Sequence, residues 1–241
     1  MVSVHTGQLP KPPGHVRFVC ISDTHNKTDQ LLVPEGDVLL HSGDFTKCGW
    51  PSQVSHFNNF LSQLNHPFKV VIAGNHDLCF DSENFETLKR NFGLDRQISS
   101  EDTKKALKDC IYLEDSGVEL FGYKIWGSPW SPTFFNWAFN LDRGEPIAQK
   151  WSLIPKDTQI LLTHGPPLGY LDKTYHGINA GCEDLLTTVQ EIKPIVHLFG
   201  HIHEGYGVLN DQTTFVNAST CNLSYKPLNP PLVFDLPNLS T

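Results

Sequence analysis

The sequence predicts an α/β core of mostly parallel strands, and three observations carry that reading. Short, largely apolar runs of strand length recur along the chain, and segments of helical spacing fall between them. Five of the runs are followed within two residues by His, Asp or Asn.

Val16 to Ile21 and Val38 to Leu40 are the first two runs. Val54, Phe57, Leu61 and Leu64 then share one helical face. Phe68 to Ala73 is the third run, and Phe85, Leu88 and Phe92 repeat at helical spacing behind Ser82, the candidate N-cap. Val118 to Trp126 turns at Phe121-Gly122 and reads as an antiparallel hairpin. Residues 128–140, SPWSPTFFNWAFN, are rich in aromatics and proline with no clear period, which predicts an ordered loop. Ile160 to Leu162 is a fourth buried strand. Leu185, Leu186 and Val189 form a helix face that stops before Pro194, and Ile195 to Phe199 is the fifth strand. A second hairpin, Tyr206 to Val216, turns around Asn210-Asp211. Hairpins beside parallel runs make the sheets mixed.

No repeat, low-complexity tract or charge block divides the 241 residues, so a single domain over 1–241 is expected, with residues 1–15 as a flexible N-terminal arm. With 18 Lys and Arg against 26 Asp and Glu the net charge is -8, which disfavours long nucleic acid or an anionic membrane as partner. No apolar run approaches the roughly 20 residues of a membrane span, and residues 1–17 hold no signal-peptide core, so a cytoplasmic location is expected. The six cysteines show no C-x-x-C spacing and read as reduced thiols.

Chemistry collects where the runs end. Ile21 leads to Ser22-Asp23-Thr24-His25, Leu40 to His41-Ser42-Gly43-Asp44, Ala73 to Gly74-Asn75-His76-Asp77, Leu162 to Thr163-His164-Gly165, and Phe199 to Gly200-His201-Ile202-His203. Ligands of open α/β sheets bind beyond the carboxyl ends of strands, so these tips are expected to converge on one crevice. Asp23, Asp44, Asn75, His25, His164, His201 and His203 are too many donors for one ion. Imidazole with carboxylate and no thiolate suits Mn²⁺, Fe or Zn²⁺ better than Ca²⁺ or Mg²⁺. Two divalent cations, Mn²⁺ first, would polarise a phosphoryl oxygen and supply a nucleophile from water. No G-x-S-x-G elbow, Walker loop or G-x-G-x-x-G fingerprint supports acyl transfer, nucleoside-triphosphate motors or dinucleotide redox.

In this order the motifs D-x-H (Asp23, His25), G-D (Gly43, Asp44), G-N-H-D (Gly74 to Asp77), H-G (His164, Gly165) and G-H-x-H (Gly200 to His203) resemble the signature of the calcineurin-like metallophosphoesterase superfamily. The resemblance implies a four-layer α/β/β/α sandwich with two mixed sheets. It also implies that Asp23, His25, Asp44 and His203 hold one metal and Asp44, Asn75, His164 and His201 the other, with Asp44 bridging. His76, oriented by Asp77, would then stabilise developing charge or protonate the leaving oxygen. Residues 127–140 and 177–185 are most similar to the metallophosphoesterase-domain-containing, brain-type branch, whose known substrates include 2′,3′- and 3′,5′-cyclic nucleotides.

The expected function is therefore metal-dependent hydrolysis of small phosphodiesters, cyclic nucleotides first. A phosphomonoesterase, a nuclease or a silent binding scaffold of the same fold are the alternatives. Protein phosphatases of the superfamily continue the G-D motif with Asp-Arg-Gly, whereas Phe45-Thr46-Lys47-Cys48 follows here, which counts against that activity. His41 and His197 lie within strands and read as hydrogen-bonded core histidines. Arg143, His176 and the aromatic residues of 128–140 stay open between substrate contacts and ordinary structure, and the sequence is silent on oligomeric state.

Overall fold

A computed structural model describes residues 2–95 and 97–240; Met1, Arg96 and Thr241 lie outside the described residues. In chain order the strands are β1 (Val4–His5), β2 (His15–Ile21), β3 (Val38–Ser42), β4 (Phe68–Ile72), β5 (Ile111–Tyr112), β6 (Ser116–Leu120), β7 (Tyr123–Ser128), β8 (Ser131–Pro132), β9 (Asn140–Leu141), β10 (Ile160–Thr163), β11 (Val196–Phe199), β12 (Gly207–Asn210), β13 (Thr214–Asn217) and β14 (Leu232–Pro237). The helices are α1 (Pro51–Gln63), α2 (Phe85–Phe92), α3 (Ser100–Ala106), α4 (Glu145–Trp151) and α5 (Glu183–Ile192).

Two six-stranded sheets carry the fold, in the orders β1-β14-β2-β3-β4-β5 and β12-β13-β11-β10-β7-β6. Within the first, β2 to β5 run parallel, in register Leu40 to Cys20 on one side and to Val70 on the other, and β14 runs antiparallel to β2. Within the second, β7, β10, β11 and β13 are parallel, and the hairpin strands β6 and β12 are antiparallel to their neighbours. Both sheets are mixed, and both expected hairpins form. The turn at Phe121-Gly122 has positive φ at both residues (53° and 80°), as the two-residue hairpin turn requires.

Alternation along the strands builds the layers. Phe18, Cys20, Leu40, Val70 and Ile72 meet Ile125, Ile160, Leu162, Val196 and Leu198 between the sheets. The opposite faces, Val19, Ile21, Leu39 and Val71 on one sheet and Leu161, Phe199 and Phe215 on the other, pack under the helices. The four layers are thus helix, sheet, sheet and helix. Helix α1 starts at Pro51, whose missing N–H costs nothing at the first helical position, and it buries Val54, Phe57 and Leu61. Helix α5 is capped by Cys182, whose Sγ accepts from the Leu185 N–H, and it ends at Lys193 in the left-handed conformation before Pro194.

One local expectation is corrected. Helix α2 begins behind Asn84, not Ser82, because the Asp81 carboxylate accepts from the Asn84 N–H (3.1 Å) and shapes that turn; the Ser82 hydroxyl meets Ser100 instead. Within the segment 1–15, expected as a flexible arm, Val4–His5 form β1, which pairs Val4 with Phe234 and His5 with Val233. No helix among the described residues is long and apolar enough to cross a membrane.

Candidate metal centre

Because β2, β3 and β4 point the same way, their tips come together at one edge of the first sheet, and β10 and β11 do the same on the second. The ladders continue past the strands as single hydrogen bonds between loops: Asp23 N–H to Gly43 O (2.9 Å), His25 N–H to Asp44 O (3.0 Å) and Gly200 N–H to His164 O (2.9 Å). Asp23, His25, Asp44 and His201 all adopt positive φ (49°, 42°, 56° and 65°), a conformation that costs non-glycine residues energy and clusters at functional sites. Gly43 (φ 97°) has no alternative, since a Cβ there would stand 2.6 Å from both Ala73 O and His164 Nδ1. A Cβ on Gly200 would overlap the Asp23 carboxylate.

All seven donors expected from the sequence meet. Ligand atoms of Asp23, His25 and His203 lie within 4.8 Å of one another, as do those of Asp44, His164 and His201, and those of His25, Asp44 and His76. Asn75 Oδ1 is 2.8 Å from His164 Nε2, and Asp44 Oδ2 is 3.4 Å from it. Asp44 stands between the two groups, 3.9 Å from His25 Nε2.

The hydrogen bonds around the imidazoles test whether the residues suit cations. His25 Nδ1 donates to Thr46 O (3.2 Å), His164 Nδ1 to Ser42 O (2.9 Å) and His203 Nδ1 to Asn222 O (3.1 Å). A carbonyl only accepts, so each ring carries its proton on Nδ1 and, when neutral, a lone pair on Nε2. His25 Nε2 and His203 Nε2 nonetheless face each other at 3.4 Å, and His203 Nε2 faces Asp23 Oδ1 at 3.3 Å. Acceptors turned toward acceptors in a buried site repel unless a cation lies among them. The donor set, with Nδ1 fixed from outside, is that of a metal site with its supporting hydrogen bonds in place.

The electrostatics agree. Burial raises the carboxyls of Asp23 and Asp44, but the surrounding imidazoles outweigh it and hold both below the usual carboxylate range. Burial lowers His164, yet the Asp44 and Asp23 carboxylates reverse it and lift the imidazole to about 9, so a proton stands where a cation would. His25 and His201, where burial prevails, fall to about 4 and about 3. The Asp23 carboxylate is further held by the His201 N–H (3.0 Å) and the Ser219 hydroxyl (3.0 Å).

His76 lies at the rim. Its backbone N–H donates to Asp44 Oδ1 (2.8 Å), its Nδ1 donates to Lys47 O (2.8 Å), and its Nε2 is 4.0 Å from Asp44 Oδ2. Asp77 does not orient that ring, which corrects the expectation. Its buried carboxylate accepts from the Thr46 N–H (2.9 Å), the Thr46 hydroxyl (2.7 Å) and the Gly74 N–H (2.8 Å), because successive side chains of the turn point to different sides. Burial and the neighbouring Asp44 charge push the Asp77 carboxyl up to about 7 against those donors. Asp77 therefore ties the β3 loop to the β4 loop. The His76 ring is supported instead by Trp137, with centroids 4.1 Å apart.

His41 and His197 are core histidines, their Nε2 atoms bonded to the hydroxyls of Thr24 (3.0 Å) and Thr163 (2.8 Å). The aromatic loop divides. Trp130 and Phe139 are buried, Trp130 donating to Asp115 (2.8 Å), whereas Phe134 and Phe135 are 57% and 72% exposed at the mouth of a cleft of about 820 Å³ that opens on the centre. Sequence reasoning missed Tyr225, whose ring lies 4.8 Å from that of His25 and 5.9 Å from that of His203. It stands beyond the last motif, in a loop whose local pattern carries no signal.

Residues 16–205 match the model of the calcineurin-like phosphoesterase family, and the chain belongs to that family. It is a metallophosphoesterase-family hydrolase whose His and Asp clusters fit a dinuclear metal site. Among its relatives, metallophosphoesterase domain-containing protein 1 of Homo sapiens is 51% identical over 98% of this chain and 76% of its own length. A UPF0046 protein of Caenorhabditis elegans is 45% identical over 95% of this chain and 62% of its own. A phosphopantetheinyl hydrolase (PptH) from Mycobacterium tuberculosis shares the fold, with a TM-score of 0.61 at 12% identity over 91% of this chain and 96% of that one.

Proposed function

We propose that the protein is a dinuclear metal-dependent phosphodiesterase acting on small phosphodiesters, with cyclic nucleotides as the favoured substrates. The observation that carries this reading is the pair of imidazole nitrogens, His25 Nε2 and His203 Nε2, turned toward each other at 3.4 Å with both partner nitrogens already committed to carbonyls. Asp23, His25, Asp44 and His203 would hold one divalent cation and Asp44, Asn75, His164 and His201 the other, Mn²⁺ being the first choice. When bound, such a pair polarises phosphoryl oxygens and lowers the pKa of water near neutrality.

The chain's own residues do the rest. Asp44 spans both groups of donors and accepts the His76 N–H, which places the His76 ring at the rim. His76 Nε2 is the ring nitrogen without a fixed partner there, so in the protonated form it delivers a proton to the leaving oxygen. Phe134 and Phe135 offer apolar faces to the base of a nucleotide. A small substrate is favoured over long nucleic acid by the net charge of -8. We place the protein in the cytoplasm, a reading supported by six unpaired cysteines.

The test is a rate comparison with Mn²⁺ added, on bis(p-nitrophenyl) phosphate, p-nitrophenyl phosphate, adenosine 2′,3′-cyclic phosphate and single-stranded DNA. Diesters and the cyclic nucleotide are expected to turn over fastest, and a chelator to abolish the rate. A faster monoester or DNA reaction, or a rate indifferent to the chelator, would overturn the reading.

A further inference from the structure

Arg143 lies between β9 and α4 and lines the same cleft as the metal centre, the sole Lys or Arg to do so among the described residues. Its Nη1 donates to Gly181 O (2.7 Å) and its Nη2 to Ala180 O (2.9 Å). The segment that offers those carbonyls is itself fastened. The Asp172 carboxylate accepts from the Gly169 N–H (2.9 Å) and the Gly181 N–H (3.0 Å), and Asp172 O accepts from the Ala180 N–H (3.0 Å).

A guanidinium has five N–H donors, so two carbonyl bonds leave three unused. The nearby carboxylates are engaged elsewhere, Asp142 with the Thr133 hydroxyl (2.8 Å) and Asp184 with the Gly144 N–H (3.0 Å), and no carboxylate among the described residues pairs with Arg143. In a chain of net charge -8 this is a preorganised cation with spare donors on the wall of a cleft. The planar fork matches phosphate or carboxylate oxygens two at a time. The ester under attack does not call for it, because two divalent cations at the centre would offset that charge.

We propose that Arg143 binds a second anionic group of the substrate, so that the cleft selects small phosphoesters bearing a phosphate or carboxylate in addition to the ester that is cleaved. The identity of the cleaved bond rests on the phosphodiesterase reading above; the anion contact does not.

Three probes share one scissile group: adenosine 2′,3′-cyclic phosphate, the same molecule with a 5′-phosphate, and the same molecule with its 5′-carbon oxidised to a carboxylate. With Mn²⁺, Arg143→Gln is expected to raise KM for the probes with the extra anion by about tenfold, leaving the first within about twofold, and Arg143→Lys to recover part of the loss. The probe with the larger loss identifies phosphate or carboxylate as the natural group. Binding of adenosine 5′-monophosphate and of adenosine to the full chain, with and without chelator, gives a readout free of catalysis. Arg143→Gln is expected to weaken only the former, and an unchanged melting temperature shows the variant is folded. Equal losses on all three probes, or no loss on any, together with unchanged binding of the monophosphate, overturn the proposal. Should the wild type hydrolyse none of the probes while monophosphate binding still depends on Arg143, the phosphodiesterase reading fails and the anion contact stands.

Discussion

His41 and His197 are as buried as His25 and His164, and all four sit on or just past parallel strands. In the first pair Nε2 meets a hydroxyl, Thr24 or Thr163, and the hydrogen bond is complete. In the second pair Nε2 turns toward the other donors of the centre, that of His25 toward His203 (3.4 Å) and that of His164 toward Asn75 Oδ1 (2.8 Å) and Asp44 Oδ2 (3.4 Å). Burial therefore does not distinguish a structural histidine from a ligand. What Nε2 faces does, a lone hydroxyl in the first pair and a cluster of other donors in the second, and position goes with it: His41 and His197 lie inside β3 and β11, whereas His25 and His164 lie beyond the ends of β2 and β10, where the chain is free to bend toward a shared point.

That contrast can be broken most severely at Asp44, which serves both groups of donors. Asp44→Asn is expected to cut Mn²⁺-supported diester hydrolysis by about three orders of magnitude, ~4 kcal/mol, and to lower bound metal measured by plasma mass spectrometry. A variant with full metal content and full rate would remove the distinction altogether. At the rim, His76→Gln is expected to lower kcat by about a hundredfold with metal content unchanged. Loss of metal there would make His76 a ligand rather than a proton donor.

The structural pair is tested by acid. Burial depresses His197 to about 3, against about 6.5 in an unfolded chain. Below pH 6.5 the unfolded state takes up a proton that the folded state refuses. Stability is therefore level above that pH and falls as pH drops toward 3, on the order of 1.4 kcal/mol per pH unit. Urea unfolding at pH 7 and pH 5 should show a smaller loss for His197→Gln than for the wild type, with metal stoichiometry unaffected in both. Identical pH dependence would mean that His197 is charged when folded. The smallest effect is expected at Trp137, where loss of the ring against His76 in Trp137→Leu should reduce kcat by about three- to tenfold, in line with the 0.5–1.5 kcal/mol of such contacts.

The sequence discloses the strand tips because metal-ligating residues directly after apolar runs are uncommon, and the tips need only parallel strands to meet. The apolar run Val38 to Leu40 marks only part of β3: the ladder runs on through His41, read from the sequence as a strand residue, and Ser42, since polar side chains do not stop backbone pairing. It hides β14, which pairs with β2 from the far end of the chain and follows a proline-rich approach, so no local pattern announces its partner. Tyr225 is hidden for the same reason. Asp77 misleads because adjacency to His76 in sequence says nothing of direction at a turn, and its carboxylate binds Thr46 and Gly74. Short α3 and α4 have too few apolar positions to mark a period.

Asp23, His25, Asp44 and Asn75 hang from one sheet, and His164, His201 and His203 from the other. Ion occupancy would then rivet the halves across their seam, making the molecule's resistance to proteolysis and heat track the free metal of its surroundings. A cell short of the ion would lose the protein itself, and not merely its turnover.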